Sequence, residues 1–458
     1  MTNQVKPTPT RAFRGSVLHF LRDPGGETRP DRAFEFFADG AIAVSDGRIL
    51  EAGEASAVLR RLPAGAPVKD YSGKLLVPGF VDTHIHYPQT DMIASYGKQL
   101  LEWLERYTFP TEREFADPEH AREVAEFFLD ELLRNGTTTA LVLGTVHAQS
   151  VDAFFEAAQA RSLRMIAGKV LMDRNCPDYL RDTPETAYAE SKALIGRWHG
   201  RDRLSYAITP RFAATSSEAQ LTRAGELAAE FPDVFVHTHL AETRAEVEWV
   251  RTLFPASRSY LDVYHRFGLV RPRSVFAHCI HLDAQDWRVM AERRAMVAFC
   301  PTSNLFLGSG LFDLRRARES GLAVGVGTDV GAGTSFSMLK TLQEAYKVAQ
   351  LSGQVLTPHR ALYLATLGGA RGLRMDDRIG NFAAGKEADF VVLDLEATPL
   401  LARRMRRAGD LAEKLFALIM LGDDRSIAAT YVLGREARAA KRRPARRTRV
   451  AGEALAGD

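Results

Sequence analysis

Two histidines, His84 and His86, stand at the end of an apolar segment with one residue between them. Side chains of an extended strand alternate between its two faces, so both imidazoles point the same way, about 6.5–7 Å apart along the strand. In this arrangement they can bind one metal ion. The alternative is a pair of hydrogen-bonded histidines that binds no metal. Further metal-binding residues downstream decide between these two interpretations.

Further candidate ligands also end apolar segments, and they are His237, His239, Glu242, His278 and Asp329. Histidines and carboxylates without thiolates suit zinc or iron, and three or four protein ligands with a place left for water describe a catalytic metal. His237 and His239 share a strand face, so alternation cannot choose between them. Glu242 follows the strand and can reach over the metal, which favours His239. Taken alone, Asp329 also fits a helix cap and Glu242 a solvated carboxylate.

The segments that carry these residues alternate with helical patterns between residues 76 and 376. Eight strand-like segments are apparent, at 75–86, 137–143, 163–171, 204–212, 234–240, 274–279, 296–300 and 322–329. Apolar residues at helical spacing lie between them, for example over 217–231. Eight strand–helix units in about 300 residues predict an α/β fold with a (β/α)8 TIM-type barrel, whose active site forms at the C-terminal ends of the strands.

Both chain ends look β-rich instead. Residues 41–53 form a hairpin pattern around a polar turn, and 388–393 and 427–433 resemble strands. A small β-sandwich built from both chain ends is therefore expected. The predicted domains are the N-terminal part of the sandwich at 1–75, the barrel at 76–376, the C-terminal part of the sandwich at 377–436, and a basic, disordered tail at 437–458.

Composition limits the partners. The chain has 458 residues, of which 46% are hydrophobic and 26% charged, a globular composition. Residues 435–458 hold eight Lys/Arg and three acids, a net +5, so the remaining residues carry −2 of the total +3. We interpret this end as a solvated tail and expect no nucleic-acid partner.

Neither a membrane segment nor a disulfide framework is indicated. No window approaches the ~18 apolar residues of a membrane span, so a cytoplasmic protein with no membrane partner is expected. Cys176, Cys279 and Cys300 are odd in number and far apart. This pattern argues against both a disulfide framework and a thiolate zinc site.

The motifs resemble those of the amidohydrolase superfamily over essentially the whole chain. The matching residues are Pro-Gly-Phe-Val-Asp-Thr-His-Ile-His at 78–86, His239, His278 and Thr328-Asp329. His-Leu-Ala-Glu at 239–242 and Cys-Pro-Thr-Ser-Asn at 300–304 are similar to the mononuclear deaminase branch. Two-metal members carry a bridging lysine on strand four, and 204–212 contains none. Lys169, on strand three, is expected to be an ordinary structural or surface lysine.

Within that branch the chain resembles the guanine deaminases. The stretches that carry this resemblance are 87–89, 100–110, 211–212 and 303–310. By itself, 100–110 predicts an amphipathic helix that Pro110 stops. The resemblance implies hydrolysis of guanine to xanthine and ammonia, a homodimer, and one zinc ion per chain, with iron as the alternative metal.

The resemblance also implies roles for particular residues. The expected zinc ligands are His84, His86, His239 and Asp329. The expected acid–base residues are Glu242, which moves a proton from water to the ring, Asp329, which carries one to the departing amine, and His278, which hydrogen-bonds the attacking oxygen. The expected substrate contacts are Gln89, Arg211, Phe212 and His239. On residue type alone, Arg211 equally fits a salt bridge at the barrel rim and Phe212 a core aromatic.

Three other functions fit parts of the pattern. A sibling enzyme acting on another aminopurine, a pterin or a triazine would keep the metal ligands and differ near Gln89 and Arg211. A catalytically silent assembly protein of this fold would have lost metal ligands, which are all present. A nucleic-acid deaminase, suggested by the basic tail, is disfavoured because the His-x-Glu and Pro-Cys-x-x-Cys signature is absent.

Overall fold

The computed structural model describes residues 9–25, 32–97 and 99–437, so the predicted basic tail lies outside the described residues from 438 onwards. Within these ranges a barrel of parallel strands forms in chain order. We number its strands 1 to 8, and they are Phe80–His86, Thr137–Leu143, Arg164–Gly168 (continued by Val170–Leu171), Ser205–Pro210, Phe235–Leu240, Ser274–His278, Met296–Phe299 and Ala323–Val326. The predicted strand order is confirmed.

Backbone hydrogen bonds between the ends of strands 1 and 8 close the barrel. The N–H of Asp329 donates to the carbonyl oxygen of His84 at 2.9 Å, and the N–H of His86 donates to that of Val330 at 3.0 Å. The chain after strand 8 is thereby held against the end of strand 1. This contact brings the last candidate ligand beside the first two.

Helices surround the barrel, with their apolar faces turned towards it. The helix Glu218–Glu230 is typical: Ser217 caps it by accepting the N–H of Gln220, and it buries Leu221 and Leu227, as the spacing over 217–231 predicted. The other helices around the barrel are Pro118–Arg134, Ala148–Ala160, Pro184–Trp198, Arg244–Leu253, Tyr260–Arg266, Ala284–Glu292, Pro301–Phe306, Leu314–Glu319, Met338–Leu351, Pro358–Tyr363 and Gly369–Gly372. In the described ranges, no helix has the length and apolar character needed to cross a bilayer.

The two chain ends share a second, mixed sheet. Its strands in the described residues are Arg11–Phe20, Phe34–Ser45, Arg48–Glu54, Val68–Pro78, Phe390–Leu393, Ile427–Val432 and Arg435–Glu436. The rings of Phe13 and Tyr431 lie 4.8 Å apart, although two strands separate theirs in the sheet. The sheet therefore curls around its own core, which confirms the β-sandwich from both ends. Helices Ala55–Arg61, Pro399–Met405 and Leu411–Leu421 accompany these end segments.

The predicted single strand at 75–86 is wrong, because the structure divides it between the two sheets. Val68–Pro78 belongs to the small sheet and Phe80–His86 to the barrel. Gly79 forms the junction, where a Cβ would lie 2.1 Å from Oγ1 of Thr138. The apolar run is continuous because both strands are buried, so hydropathy gives no sign of the break.

The predicted helix end at Pro110 is also wrong. The chain stays helical through Leu100–Trp103, a π-helical turn at Leu104–Thr108, and Phe109–Arg113. The N–H of Phe109 donates to the carbonyl of Leu104, five residues back. Pro110 then lies in the first turn of the next helical piece, where its missing N–H is tolerated. The helix consequently reaches Glu112.

Candidate metal centre and substrate pocket

Four ligand atoms converge at the C-terminal end of the barrel. The Nε2 atoms of His84 and His86 lie 3.3 Å apart, and that of His239 lies 3.2 Å from the Nε2 of His86. Oδ1 of Asp329 lies 3.2 and 3.3 Å from the Nε2 atoms of His84 and His86. Ligands about 2.0 Å from one tetrahedral ion are separated by about 3.3 Å. The spacing therefore fits a single metal ion.

The protonation of these side chains also fits a metal. Nδ1–H of His239 donates to the carbonyl of Arg211 at 2.7 Å, so the lone pair lies on Nε2. Burial lowers the pKa of His86 to about 3 and that of His239 well below its usual value, so both rings are neutral, the form that binds metals.

Asp329 supplies the negative charge of the cluster. Burial opposes its ionisation, but the neighbouring His84 and His86 hold the pKa of this carboxyl well below its usual value. Cys300 lies close to Asp329 and His278, yet burial raises the pKa of its thiol well above the usual value, which keeps it protonated. The donor set is thus three imidazoles and one carboxylate.

His237 and His239 both lie on strand 5, as expected, but they take different positions. His239 contributes its Nε2 to the metal-binding cluster. His237 lies on the other side of His84, with its Nε2 2.7 Å from the Nδ1 of that ring. The structure therefore places His239 in the candidate metal-binding cluster, whereas His237 contacts the opposite nitrogen of the His84 ring.

Left-handed backbone occurs where the strands end at the site. Ala241, His278 and Asp329 have φ angles of 50°, 70° and 53°. The left-handed conformation is unfavourable for residues other than glycine, by on the order of 1–3 kcal/mol per residue. Such residues are concentrated at functional sites. These conformations turn the chain so that strand-end side chains point over the barrel mouth.

Glu242 and His278, the expected acid–base residues, lie next to each other beside this cluster. The hydroxyl of Ser309 donates to Oε1 of Glu242 at 2.8 Å, and Oε2 lies 3.5 Å from Nε2 of His278. The Nδ1 of His278 is 2.9 Å from Oδ1 of Asn304. Burial, aided by the charge of Asp329, raises the pKa of Glu242 to about 8. A carboxyl whose pKa is raised towards neutrality can both accept and release a proton, as a proton shuttle must.

A pocket opens onto this cluster. Its lining includes the predicted residues Gln89, Arg211, Phe212, His239, Glu242, His278, His86 and Asp329, together with Leu100, Trp103, Leu104, Glu246, Leu307 and Ala332. The helical segment 100–113 thus supplies an apolar wall of the pocket.

Arg211 is paired with a buried carboxylate that the sequence analysis did not identify. Its Nη1 donates to both oxygens of Glu112, at 2.9 and 2.7 Å. The Nε2 of Gln89 donates to the same carboxylate at 3.2 Å. Ninety-nine residues separate Glu112 from Arg211, so no local spacing signals this pair. Ser309 and Asn304, by contrast, lie inside the motifs at 303–310 and 300–304, though without an assigned role.

Lys169 lies away from these functions, as expected. It is fully buried on the barrel, with its Nζ bound to Asp182 and 3.4 Å from Glu190. An amine paired in this way has a structural role.

A barrel whose strand ends carry a mononuclear His–Asp cluster defines a class of metal-dependent hydrolases. The chain belongs to the amidohydrolase family, whose model matches residues 75–437. It is 55% identical over 425 residues to the guanine deaminase of Escherichia coli (strain K12), covering 93% of this chain and 97% of that protein. The solved structure of E. coli guanine deaminase superposes with a TM-score of 0.91, covering 93% of this chain and 99% of that one.

Two more distant structures contain bound molecules. Guanine deaminase from C. acetobutylicum, solved with guanine in the active site, is 30% identical with a TM-score of 0.84, covering 93% of this chain and 99% of that one. An adenosine deaminase from Xanthomonas campestris with bound zinc is 26% identical with a TM-score of 0.80, covering 93% and 92% of the two chains.

Proposed function

We propose that this protein hydrolyses guanine to xanthine and ammonia, using one zinc ion per chain. The observation that carries the proposal is one pocket that joins the His–Asp cluster to Arg211 and Gln89. The similarity to guanine deaminases, one of them solved with guanine bound, supports the same substrate.

The ligands His84, His86, His239 and Asp329 would hold the metal. Zinc suits the imidazole–carboxylate donor set, with iron as the alternative, and the Xanthomonas campestris relative contains zinc. When bound, such an ion lowers the pKa of water to about 7 and so makes hydroxide available for attack at neutral pH.

The acid–base residues move the protons of the reaction. A carbon–oxygen bond forms at C2 of guanine, and the bond from C2 to the exocyclic nitrogen breaks. Glu242 takes a proton from the attacking water and delivers it to a ring nitrogen, which weakens the aromatic character of the ring. Asp329 carries a proton to the departing amine. His278, whose Nε2 faces both carboxylates, hydrogen-bonds the oxygen at C2.

Recognition relies on the polar edge of the purine. Arg211 has donors for the ring carbonyl, since a planar guanidinium stays charged. Gln89 faces the same pocket, and Phe212 contacts the ring plane. Sites that hydrogen-bond polar groups reject analogues without them by ~10⁴ or more. The homodimer and the cytoplasmic location stay predictions of this proposal, and light scattering of the purified protein tests the first.

A panel of amino-heterocycles tests the proposal directly. Guanine, adenine, a pterin and a triazine are incubated with the enzyme, ammonia release is measured, and metal content is determined on the same sample. We expect guanine to be the preferred substrate, activity to disappear on chelation, and zinc to restore it. Preferred release of ammonia from another heterocycle would replace this function with that of a sibling deaminase. A metal-loaded protein inactive on every compound would favour the silent scaffold.

A further inference from the structure

Glu112 is a buried carboxylate to which the proposed reaction assigns no part. Its exposed fraction is 0%. Among the described residues, the side chains that donate to it are those of Arg211 and Gln89. Both are proposed substrate contacts, so one carboxylate connects the groups that recognise the purine edge.

The contact uses only part of the guanidinium. Both oxygens of Glu112 accept from a single atom, Nη1 of Arg211. The side-chain hydrogen bonds of Arg211 within the described residues use Nη1, and the residue lines the pocket. The ring of Phe109 lies 5.7 Å from the Cζ of Arg211 and packs against the guanidinium. Glu112 and Phe109 together restrict this group and leave its other donors for a ligand.

Charge makes the same pairing necessary. Arg211 is only 2% exposed, and a buried cation without a counter-charge is strongly unfavourable. An isolated guanidinium would also attract anions into the pocket. The ion pair with Glu112 is neutral overall, which suits an uncharged heterocycle with a carbonyl acceptor.

The position of Glu112 depends on the continuous helical segment 100–113. Leu100, Trp103 and Leu104 line the pocket from one end of this segment, and Glu112 lies near the other end, beyond the π-helical turn. The segment therefore supplies both the apolar wall and the carboxylate that orients Arg211.

We propose that Glu112 is a positioning residue that presents Arg211 to the carbonyl group of the substrate. The inference rests on the proposed function. It assigns specificity for the carbonyl to a carboxylate that does not contact the substrate itself. Recognition of the rest of the purine is left to other residues.

Kinetics of Glu112→Gln test this role with two ligands. The variant keeps the size of the side chain but removes its charge. We expect the KM for guanine to rise about 10- to 100-fold, as for loss of a charge-assisted hydrogen bond, with a much smaller change in kcat and unchanged zinc content. The inhibition constant of 2-aminopurine, which lacks the carbonyl, should change by less than about threefold, because it does not use the Arg211 contact. Glu112→Asp, which keeps the charge, should recover part of the affinity.

Glu114→Gln is the matched control, since Glu114 lies two residues away with its side chain 64% exposed. Equal losses for guanine and 2-aminopurine, or no loss beyond that of the control, would overturn the inference. If Glu112→Gln loses zinc or fails to fold, Glu112→Asp is compared in the wild type and in an Arg211→Lys variant. Glu112→Asp should raise the KM for guanine by a smaller factor in the Arg211→Lys variant than in the wild type. An equal increase in KM would contradict the positioning role. A wild type that does not act on guanine instead refutes the proposed function.

Discussion

Glu246 offers a test of how strongly the pocket wall perturbs a buried acid. The side chain is 1% exposed. Its oxygens accept the backbone N–H groups of Glu242 and Thr243, at 2.9 and 3.2 Å, and the hydroxyl of Tyr260 at 2.7 Å. Burial, with the charge of nearby Glu242, raises the pKa of Glu246 to about 7 from 4.5. Replacing it by glutamine removes the titration; its amide oxygen can still accept from the two backbone N–H groups, while its NH2 can donate to the hydroxyl oxygen of Tyr260.

The shift converts into a pH-dependent free energy of unfolding. The folded state binds this proton more tightly than the unfolded chain, so the contribution is fully present below about pH 4.5 and is lost as pH rises through about 7. The loss is roughly 3 kcal/mol for a shift of this size. The amide of Glu246→Gln makes no such contribution. As pH rises from acidic to mildly alkaline, the free energy of unfolding of the variant should therefore increase by about 3 kcal/mol relative to that of the wild type.

Urea denaturation of equally zinc-loaded wild type and variant measures this difference, at about pH 5 and about pH 8. Glu248→Gln is the control, because Glu248 is on the same helix, Arg244–Leu253, with its side chain 62% exposed. We expect the relative stability of this control to change little over the same interval. A difference between Glu246→Gln and wild type that does not change with pH, or that falls as pH rises, would refute the argument from burial.

Three further changes test the site, the domain junction and the tail. Glu242→Gln should retain zinc while kcat falls ~10²- to 10⁴-fold, and metal analysis with turnover checks this; an active variant would exclude the proton-shuttle role. Gly79→Ala should destabilise the protein by about 1–3 kcal/mol, because the added Cβ meets Thr138. Gly196 lies on a helix, and a Cβ there would have no atom within 4 Å, so Gly196→Ala should stabilise the protein by up to about 1 kcal/mol. Thermal unfolding of both variants measures these effects, and equal changes in Tm would contradict the clash with Thr138. Deleting 438–458 should leave kcat/KM for guanine unchanged, and a large loss would give the tail a function.

The barrel was predictable because its signals are local. Apolar segments such as Thr137–Leu143 match the observed strand to the residue. Parallel strands place their C-terminal ends at one face, so polar residues at those ends had to meet. The meeting of His84, His86 and Asp329 follows from that rule and from closure of the barrel.

Other features depended on contacts between distant residues. Alternation placed His237 and His239 on the same face, and only the position of the His84 ring distinguishes them. The break at Gly79 is hidden because both flanking strands are buried. The helix continues through Pro110 because a π-helical turn precedes it, which residue preferences do not indicate.

The sequence alone therefore determined the barrel and the residues that surround its candidate metal site, since periodicity and strand order are properties of neighbouring residues. Only the tertiary structure decided how those residues are oriented. Glu112, Ser309 and Asn304 hold Arg211, Glu242 and His278 through hydrogen bonds between segments far apart in the chain. Such pairings depend on packing across the barrel mouth, and no local pattern carries that information.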